Sequence, residues 1–156
     1  MEKVRGKGYN VSQSTIRRAI VIDDDKSLLT AITSILKKRG YEVYTATEPS
    51  FCPIYLKHEC KCPEGYKCTN ILITDVKMPK MTGFEFLKEL QSYGCKVQNI
   101  AVMSTAWEES ELEYFEGVGC KILEKPFKMN ELAKWLDECE KKIDPNFKLS
   151  DLPKTT

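Results

Sequence analysis

The sequence contains a single histidine, His58, and this scarcity limits the chemistry that the chain can perform. Because His58 lies in a Cys-rich stretch, no histidine is left elsewhere for a catalytic triad or for a phosphohistidine. The chain also lacks a glycine-rich loop followed by Lys-Ser or Lys-Thr, so nothing in it supports nucleotide hydrolysis by a P-loop.

Long apolar runs and excess charge of one sign are missing as well. No apolar run approaches the length that spans a bilayer, and residues 1–18 lack the apolar core of a secretory signal. The formal net charge of +1 gives no general attraction to nucleic acid or to a membrane surface. We therefore expect a cytoplasmic protein with no membrane contact and no direct DNA binding, and we interpret residues 1–18 as a flexible basic tail.

Residues 19–143 alternate between strand and helix signals, which predicts one α/β domain. Apolar or alternating runs predict five strands, at residues 19–23, 41–45, 71–74, 100–103 and 120–123. Because helical segments separate most of them, we expect a doubly wound five-stranded parallel sheet, in the order 2-1-3-4-5, with helices on both faces. Residues 144–156, which include two prolines, are predicted to be a C-terminal tail.

Helix signals fix several boundaries and leave others open. Asp25 or Ser27 caps the first predicted helix, and Thr82 with Glu85 has the spacing of a capping box. The helix that follows places Phe84, among others, on its apolar stripe. The last helix presents Trp135 and its neighbours either to the core, which we favour, or to a second copy in a homodimer.

A Cys-rich insert, residues 49–69, occupies the place of an expected helix between the second and third strands. It carries Cys52, Cys60, Cys62 and Cys68 beside the lone histidine. Thiolates and imidazole suit Zn²⁺, but the closest cysteines are separated by one residue, whereas structural zinc sites usually separate a pair by two to four. A loop of free thiols, or a disulfide such as Cys52–Cys68 after oxidation, remains an alternative.

Charged side chains follow the predicted strands at the edge where the carboxyl ends of parallel strands meet. Asp23 and Asp24 follow the first strand, and Asp75 follows the third. Mg²⁺ prefers such oxygen ligands, and its charge would relieve the repulsion among three carboxylates. One carboxylate can then attack phosphorus, while Lys125 and Thr105 neutralise or bind the phosphoryl oxygens.

The chain resembles the receiver domains of two-component response regulators over residues 19–143. The matching motifs are Asp23-Asp24, Asp75, Met78-Pro79 with Gly83, Ser104-Thr105-Ala106 and Lys125-Pro126-Phe127. The resemblance implies a flavodoxin-like fold in which Asp75 accepts a phosphoryl group from a sensor histidine kinase or a phosphotransfer protein. It implies that Asp23 or Asp24, Asp75 and the backbone carbonyl of Lys77 bind Mg²⁺.

The same resemblance assigns the readout of the phosphoryl group to Thr105 and Lys125, and a Lys125-Pro126 bond that is often cis. At Ile122 many receivers have an aromatic switch residue, so the readout here is expected to be smaller or different. Lys77 and Trp107 occupy positions that flank the path of the hydrolytic water. They either shield the acyl phosphate, which predicts slow autodephosphorylation, or simply point to solvent.

These observations predict a free-standing, phosphorylation-controlled switch that signals to a downstream protein or works in a phosphorelay. It would not be an enzyme beyond its own Mg²⁺-dependent phosphorylation and dephosphorylation. The alternative is a degenerate receiver that binds a protein constitutively and is perhaps stabilised by a metal. An aspartate-nucleophile phosphatase ranks last, because Lys77 stands where that chemistry needs a second aspartate.

Overall fold

The computed structural model describes residues 16–48, 62–78 and 81–150. The strands are β1 (Arg17–Ile22), β2 (Tyr41–Ala46), β3 (Tyr66–Lys67), β4 (Ile71–Asp75), β5 (Asn99–Ser104), β6 (Lys121–Glu124) and β7 (Lys148–Leu149). The helices are α1 (Lys26–Lys38), α2 (Gly83–Ser92), α3 (Glu109–Gly117) and α4 (Met129–Lys142).

The main sheet has five parallel strands in the order β2-β1-β4-β5-β6. This confirms the predicted order, because β4 is the third strand of the main sheet once the two-residue β3 is counted separately. β1 and β4 occupy its centre, and every residue of β4 is buried. A strand covered on both faces needs apolar residues at consecutive positions, which explains the unbroken runs in the sequence.

Two apolar clusters cover the two faces of the sheet. Because side chains alternate along a strand, Ala19 and Val21 join one cluster, while Ile20 and Ile22 join the other. The first cluster includes apolar residues of α1 and α4, and the second includes those of α2 and α3. The sheet is therefore doubly wound, with a separate packed layer on each side.

The helix starts are fixed by side-chain caps. Asp25 caps α1 by accepting a hydrogen bond from the Leu28 amide, and Thr82 and Glu85 form the predicted capping box of α2. One position differs from expectation: Phe86 is fully buried, whereas Phe84 is only half-buried. Phe84 lies in the first turn of α2, where its ring packs against Tyr114 of α3 instead of the sheet.

Parts of both predicted tails belong to the ordered fold. Arg17 and Arg18 begin β1, and the segment 144–150 returns to pair β7 in parallel with β3. One Arg18 guanidinium nitrogen donates to the carbonyls of Cys68 and Ser150, at 2.9 and 2.6 Å. The backbone pairing and this arginine tie the C-terminal segment to the end of the insert, so the domain extends beyond Ile143.

None of the described helices combines the length and apolar character that crossing a bilayer requires.

The Arg18 contacts predict an unequal effect of two neighbouring arginines on stability. We expect Arg18→Ala to lower the free energy of unfolding by about 2 kcal/mol, because two carbonyls and Glu42 lose a charged donor together. Arg17→Ala serves as the control, since Arg17 makes one 3.7 Å ion pair with Glu140 at the surface and should change stability by less than about 0.5 kcal/mol. Urea unfolding of both variants measures the difference, and equal losses would contradict the prediction.

Candidate functional site

The carboxyl edge of the main sheet brings together charged residues that lie far apart in the sequence. Asp23 follows β1, Asp75 is the last residue of β4, and Lys125 follows β6. Backbone hydrogen bonds fix their relative positions. The Val76 amide donates to the Met103 carbonyl at 2.9 Å, and the Lys125 backbone amide donates to the Ser104 carbonyl at 2.8 Å. The three side chains therefore converge because parallel strands end at the same edge.

Lys125 bridges the two buried aspartates. Its ammonium group lies 2.7 Å from Asp23 Oδ2 and 3.2 Å from Asp75 Oδ1. Asp23 is 0% exposed and Asp75 is 4% exposed. The peptide bond between Lys125 and Pro126 is cis, as the resemblance implied.

The surroundings of Asp75 disfavour the charged form of its carboxyl group. Burial raises the pKa of Asp75, and the negative charge of Asp23 raises it further, against the lowering effect of Lys125. Burial by itself would lower the pKa of Lys125, but its contacts with Asp23 and Asp75 outweigh that effect, so the pKa is raised. The lysine is therefore a firmly protonated cation between two carboxylates.

The acidic residues fit a divalent cation. Asp23, Asp24 and Asp75 each offer an oxygen, and these atoms lie within 4.8 Å of one another. Three carboxylates against one ammonium leave two negative charges uncompensated, and hard oxygen ligands of this kind are what Mg²⁺ prefers. Receiver domains in general bind Mg²⁺ at such an acidic pocket, and this chain retains the residues for it.

Gly83 explains why the loop after Asp75 stays close to the site. A Cβ at Gly83 would lie 2.5 Å from the Asp75 carbonyl oxygen and 3.0 Å from the Val76 Cα. The Gly83 amide also donates to the Val76 carbonyl at 2.8 Å. Only glycine permits this approach, so the start of α2 is held against the end of β4. Pro79, which belongs to the same motif, lies outside the described residues.

The hydroxyl residues after β5 have different environments. Ser104 is buried and uses its hydroxyl locally, donating to the Ala106 carbonyl at 2.7 Å and accepting from the Ala106 amide. Thr105, the predicted phosphoryl-binding residue, is exposed and follows β5 at the same edge as Asp75. The Ser104 bonds shape the turn from which Thr105 projects.

Lys77 and Trp107 both make contacts with α3. The Lys77 ammonium pairs with Glu111 of α3 at 3.4 Å, and its side chain is 45% exposed. Trp107 is half-buried and meets the Phe115 ring edge-on, with the ring centroids 6.1 Å apart. Both side chains thus contact residues of α3.

Glu111 is a residue of this region that sequence reasoning missed. It is buried, and its carboxylate accepts a hydrogen bond from the Glu108 amide and pairs with the Lys77 ammonium. The spacing of Glu108 and Glu111 at the start of a helix was the available signal, since it matches a capping box formed by two glutamates. Lys77 as a partner was not deducible, because the pair joins different elements.

Ile122 lies on β6 and is half-buried against the second apolar cluster. The aromatic side chains of this region come instead from the helices: Phe84, Tyr114 and Phe115 meet edge-to-face, with centroids 5.1–6.0 Å apart. Ile122, which stands where many receivers have an aromatic residue, therefore lies beside an aromatic cluster formed by side chains of α2 and α3.

The structure describes only part of the cysteine insert. Cys62 and Cys68 are described and half-buried, whereas Cys52, Cys60 and His58 lie outside the described residues. Over the described ranges, the acidic trio is the one group of potential ligands close enough to hold a metal. Zinc binding by the four insert cysteines is without support.

Comparison with known proteins identifies the family of this chain. Residues 19–137 match the family model described as the response regulator receiver domain. A Haemophilus influenzae protein, the transcriptional regulatory protein CpxR homolog, is 30% identical over 118 residues, which make up 74% of this chain and 46% of that protein. The Arabidopsis thaliana two-component response regulator ARR11 is 35% identical over 119 residues, covering 74% of this chain and 21% of that protein.

Solved structures show the same fold. The Vibrio cholerae chemotaxis protein CheY4, crystallised at low pH, superimposes with a TM-score of 0.60 at 27% identity, covering 80% of this chain and 98% of that one. A response regulator receiver protein from Pseudomonas putida gives a TM-score of 0.63 at 20% identity, over 78% of this chain and 96% of that one. This chain spans less than half of the two curated relatives, so what their remaining parts do belongs to those proteins.

The crowded carboxylates predict a metal-dependent change in thermal stability. Without Mg²⁺, we expect Asp75→Asn to raise Tm by a few degrees, or about 1 kcal/mol, because the amide removes a buried charge that Asp23 repels. Millimolar Mg²⁺ should raise Tm of the wild type and have a clearly smaller effect on Asp75→Asn.

Asp25→Asn is the matched control for this measurement. Asp25 caps α1 beside the site, and asparagine caps a helix about as well as aspartate. Its response to Mg²⁺ in a thermal melt should equal that of the wild type. An unchanged Mg²⁺ response in Asp75→Asn would remove Asp75 from the metal site.

Proposed function

The chain belongs to the response regulator receiver family, and on that premise we propose that it is a switch that accepts a phosphoryl group on Asp75. The observation that carries the proposal is the Lys125 ammonium, held 2.7 and 3.2 Å from Asp23 and Asp75 within a group of three carboxylates. Receiver domains interact with histidine kinases or phosphotransfer proteins, and the proposed donor is the phosphohistidine of such a protein. The proposed compartment is the cytoplasm.

In the proposed reaction an Asp75 oxygen attacks the phosphorus atom of the phosphohistidine. The P–N bond breaks, and its electron pair stays on the imidazole nitrogen of the donor, which leaves an acyl phosphate on Asp75. Bound at Asp23, Asp24 and Asp75, with the Lys77 carbonyl as a further ligand, Mg²⁺ would neutralise charge on the phosphoryl oxygens. Lys125 is placed to offer the second positive charge, and the exposed Thr105 hydroxyl is placed to donate a hydrogen bond.

The proposed output begins at Lys125. Its ammonium pairs with both buried aspartates before phosphorylation, so a phosphoryl group on Asp75 offers it a new, doubly charged partner. A shift of Lys125 and Thr105 would reach β6 and α3, where Ile122 and the ring of Tyr114 share the second apolar cluster. This face is the proposed contact surface for a downstream protein or for the next carrier of a phosphorelay.

A degenerate receiver that binds a protein constitutively is the alternative. Two features support this alternative. Ile122 replaces the aromatic readout residue, and the cysteine insert could stabilise the protein with a metal, so neither feature requires repeated phosphorylation and dephosphorylation. The clustered carboxylates and the bridging lysine favour the switch, since burying the two mutually repelling carboxylates Asp23 and Asp75 is costly for a protein that handles neither cation nor phosphate.

The proposed phosphorylation is tested by intact mass after incubation with acetyl phosphate and Mg²⁺. We expect the wild type to gain one phosphoryl group only when Mg²⁺ is present. Asp75→Asn should gain none, and Lys125→Ala should be phosphorylated without transmitting the change to α3. No gain under conditions that modify another receiver would favour the constitutive alternative.

We also propose that Lys77 and Trp107 slow autodephosphorylation. Lys77 lies two residues after Asp75 and is restrained by its ion pair with Glu111, and Trp107 lies two residues after Thr105 and is restrained by its packing on Phe115. Hydrolysis needs a water molecule in line with the bond from Asp75 oxygen to phosphorus, and two restrained side chains reduce its access.

The lifetime of the phosphorylated protein tests this shielding. Lys77→Asn combined with Trp107→Ala should shorten the half-life about fivefold, which corresponds to about 1 kcal/mol of barrier. Glu111→Gln is the informative partner variant, because it keeps the cap of α3 and removes the charge that restrains Lys77; its half-life should fall as well, by less. A half-life that does not shorten in the double variant would contradict the hypothesis.

A further inference from the structure

Two thiols meet at the amino edge of the main sheet, opposite the acidic site. β4 begins at Ile71 and β5 begins at Asn99, and these residues are paired in register. Cys68 lies just before β4, and Cys95 lies just before β5. Cys68 and Cys95 are 27 positions apart in the sequence. Each lies a few residues before one of two neighbouring strands, so both come to the same edge of the sheet.

The surrounding contacts hold the two segments together. The Lys96 ammonium donates to the Pro63 carbonyl at 3.0 Å, which pins the end of the insert to the loop that carries Cys95. The Asn99 side-chain amide donates to the Asn70 carbonyl at 3.3 Å, between the two strand starts. Cys68 and Cys95 both line one small apolar cavity, whose wall also includes Leu72 and Phe86.

Within this shared cavity the Cys68 side chain affects the acidity of Cys95. A hydrogen bond between the Cys68 and Cys95 side chains, with Cys68 as donor, is the largest influence on the Cys95 thiol and lowers its pKa. Burial and the nearby Cys62 thiol oppose this effect, and the backbone amides of Val97 and Lys96 add to it. A thiol with a lowered pKa and partial exposure is the reactive kind, because the thiolate is the nucleophile.

Other described cysteines have different environments. Burial raises the pKa of Cys120 to about 11 and that of Cys139 to about 12, so both stay protonated and unreactive. The Cys62 sulfur lies 3.2 Å from the Ser150 hydroxyl, on the side of the C-terminal segment. Cys95 therefore differs in reactivity from Cys120 and Cys139, and both Cys68 and Cys62 are close enough to influence it.

We propose that Cys68 and Cys95 are a redox pair that a hydroperoxide converts into a disulfide. The Cys95 thiolate attacks a peroxide oxygen, the O–O bond breaks, and the other oxygen leaves as water or an alcohol after it takes up a proton. The resulting sulfenic acid is attacked by the Cys68 sulfur; the S–O bond breaks, an S–S bond forms and water leaves. Two thiols are oxidised, and one peroxide is reduced.

This modification acts independently of the proposed phosphoryl transfer, because the thiols and the acidic site lie at opposite ends of the same strands. The disulfide would join the starts of β4 and β5 and close the segment 68–95 into a loop. Closing a loop of this length restricts the unfolded chain, so the oxidised protein should melt about 10 °C higher than the reduced protein.

The test uses the reduced full chain, freed of reductant and treated with one equivalent of hydrogen peroxide. Remaining thiols are alkylated, the protein is digested without reduction, and cross-linked peptides are identified by mass spectrometry. We expect a Cys68–Cys95 peptide in the wild type and in the matched control Cys62→Ser, and none in Cys68→Ser or Cys95→Ser. Alkylation of the untreated protein should be faster at Cys95 than at Cys120 by about tenfold or more.

Three results would overturn the proposal. They are a disulfide that joins Cys95 to Cys62, two thiols that survive peroxide unchanged, and thiols that react only after a chelator has removed bound zinc. The last result would assign the cluster to a metal instead. The acetyl phosphate experiment on the same oxidised and reduced samples keeps the two proposals separable, since a protein that fails one test can still pass the other.

Discussion

The contact of Lys125 with Asp23 and Asp75 is the interaction on which the functional end of this molecule depends. Two carboxylates with almost no exposure repel each other across the ends of adjacent strands, and one ammonium group holds them together. Because each of the three residues ends a different strand, the contact requires the whole parallel sheet in its correct order. The remaining negative charge suits this edge to a divalent cation.

The surroundings of this contact connect it to α3. Lys77 leaves the loop after Asp75 and pairs with buried Glu111, while Trp107 leaves the turn after β5 and packs on Phe115. The loop after Asp75 and the turn after β5 thus both contact α3, one through an ion pair and one through packed rings. Ile122 on β6 packs against the same apolar cluster as the rings of Phe84 and Tyr114.

The opposite edge of the sheet has a different construction. Arg18 joins the end of the insert to the C-terminal segment, and β3 pairs with β7 outside the main sheet. Cys68 and Cys95 sit within this second region. The thiol pair at one edge and the acidic site at the other share the central strands, yet they consist of separate residues.

The sequence by itself determined the strand order and the acidic site. A central parallel strand needs an unbroken apolar run, and the functional side chains of such a sheet follow the ends of these runs. It also determined the capping box at Thr82, which is a local contact. Only the tertiary structure decided that Asp25 caps α1, that Glu111 receives Lys77, that the segment after Ile143 returns to β3, and that Cys95 faces Cys68. The Asp25 cap is local, and the sequence left only the choice between Asp25 and Ser27 open. The other contacts join segments that are distant in the sequence, and such contacts leave no period or spacing in the chain.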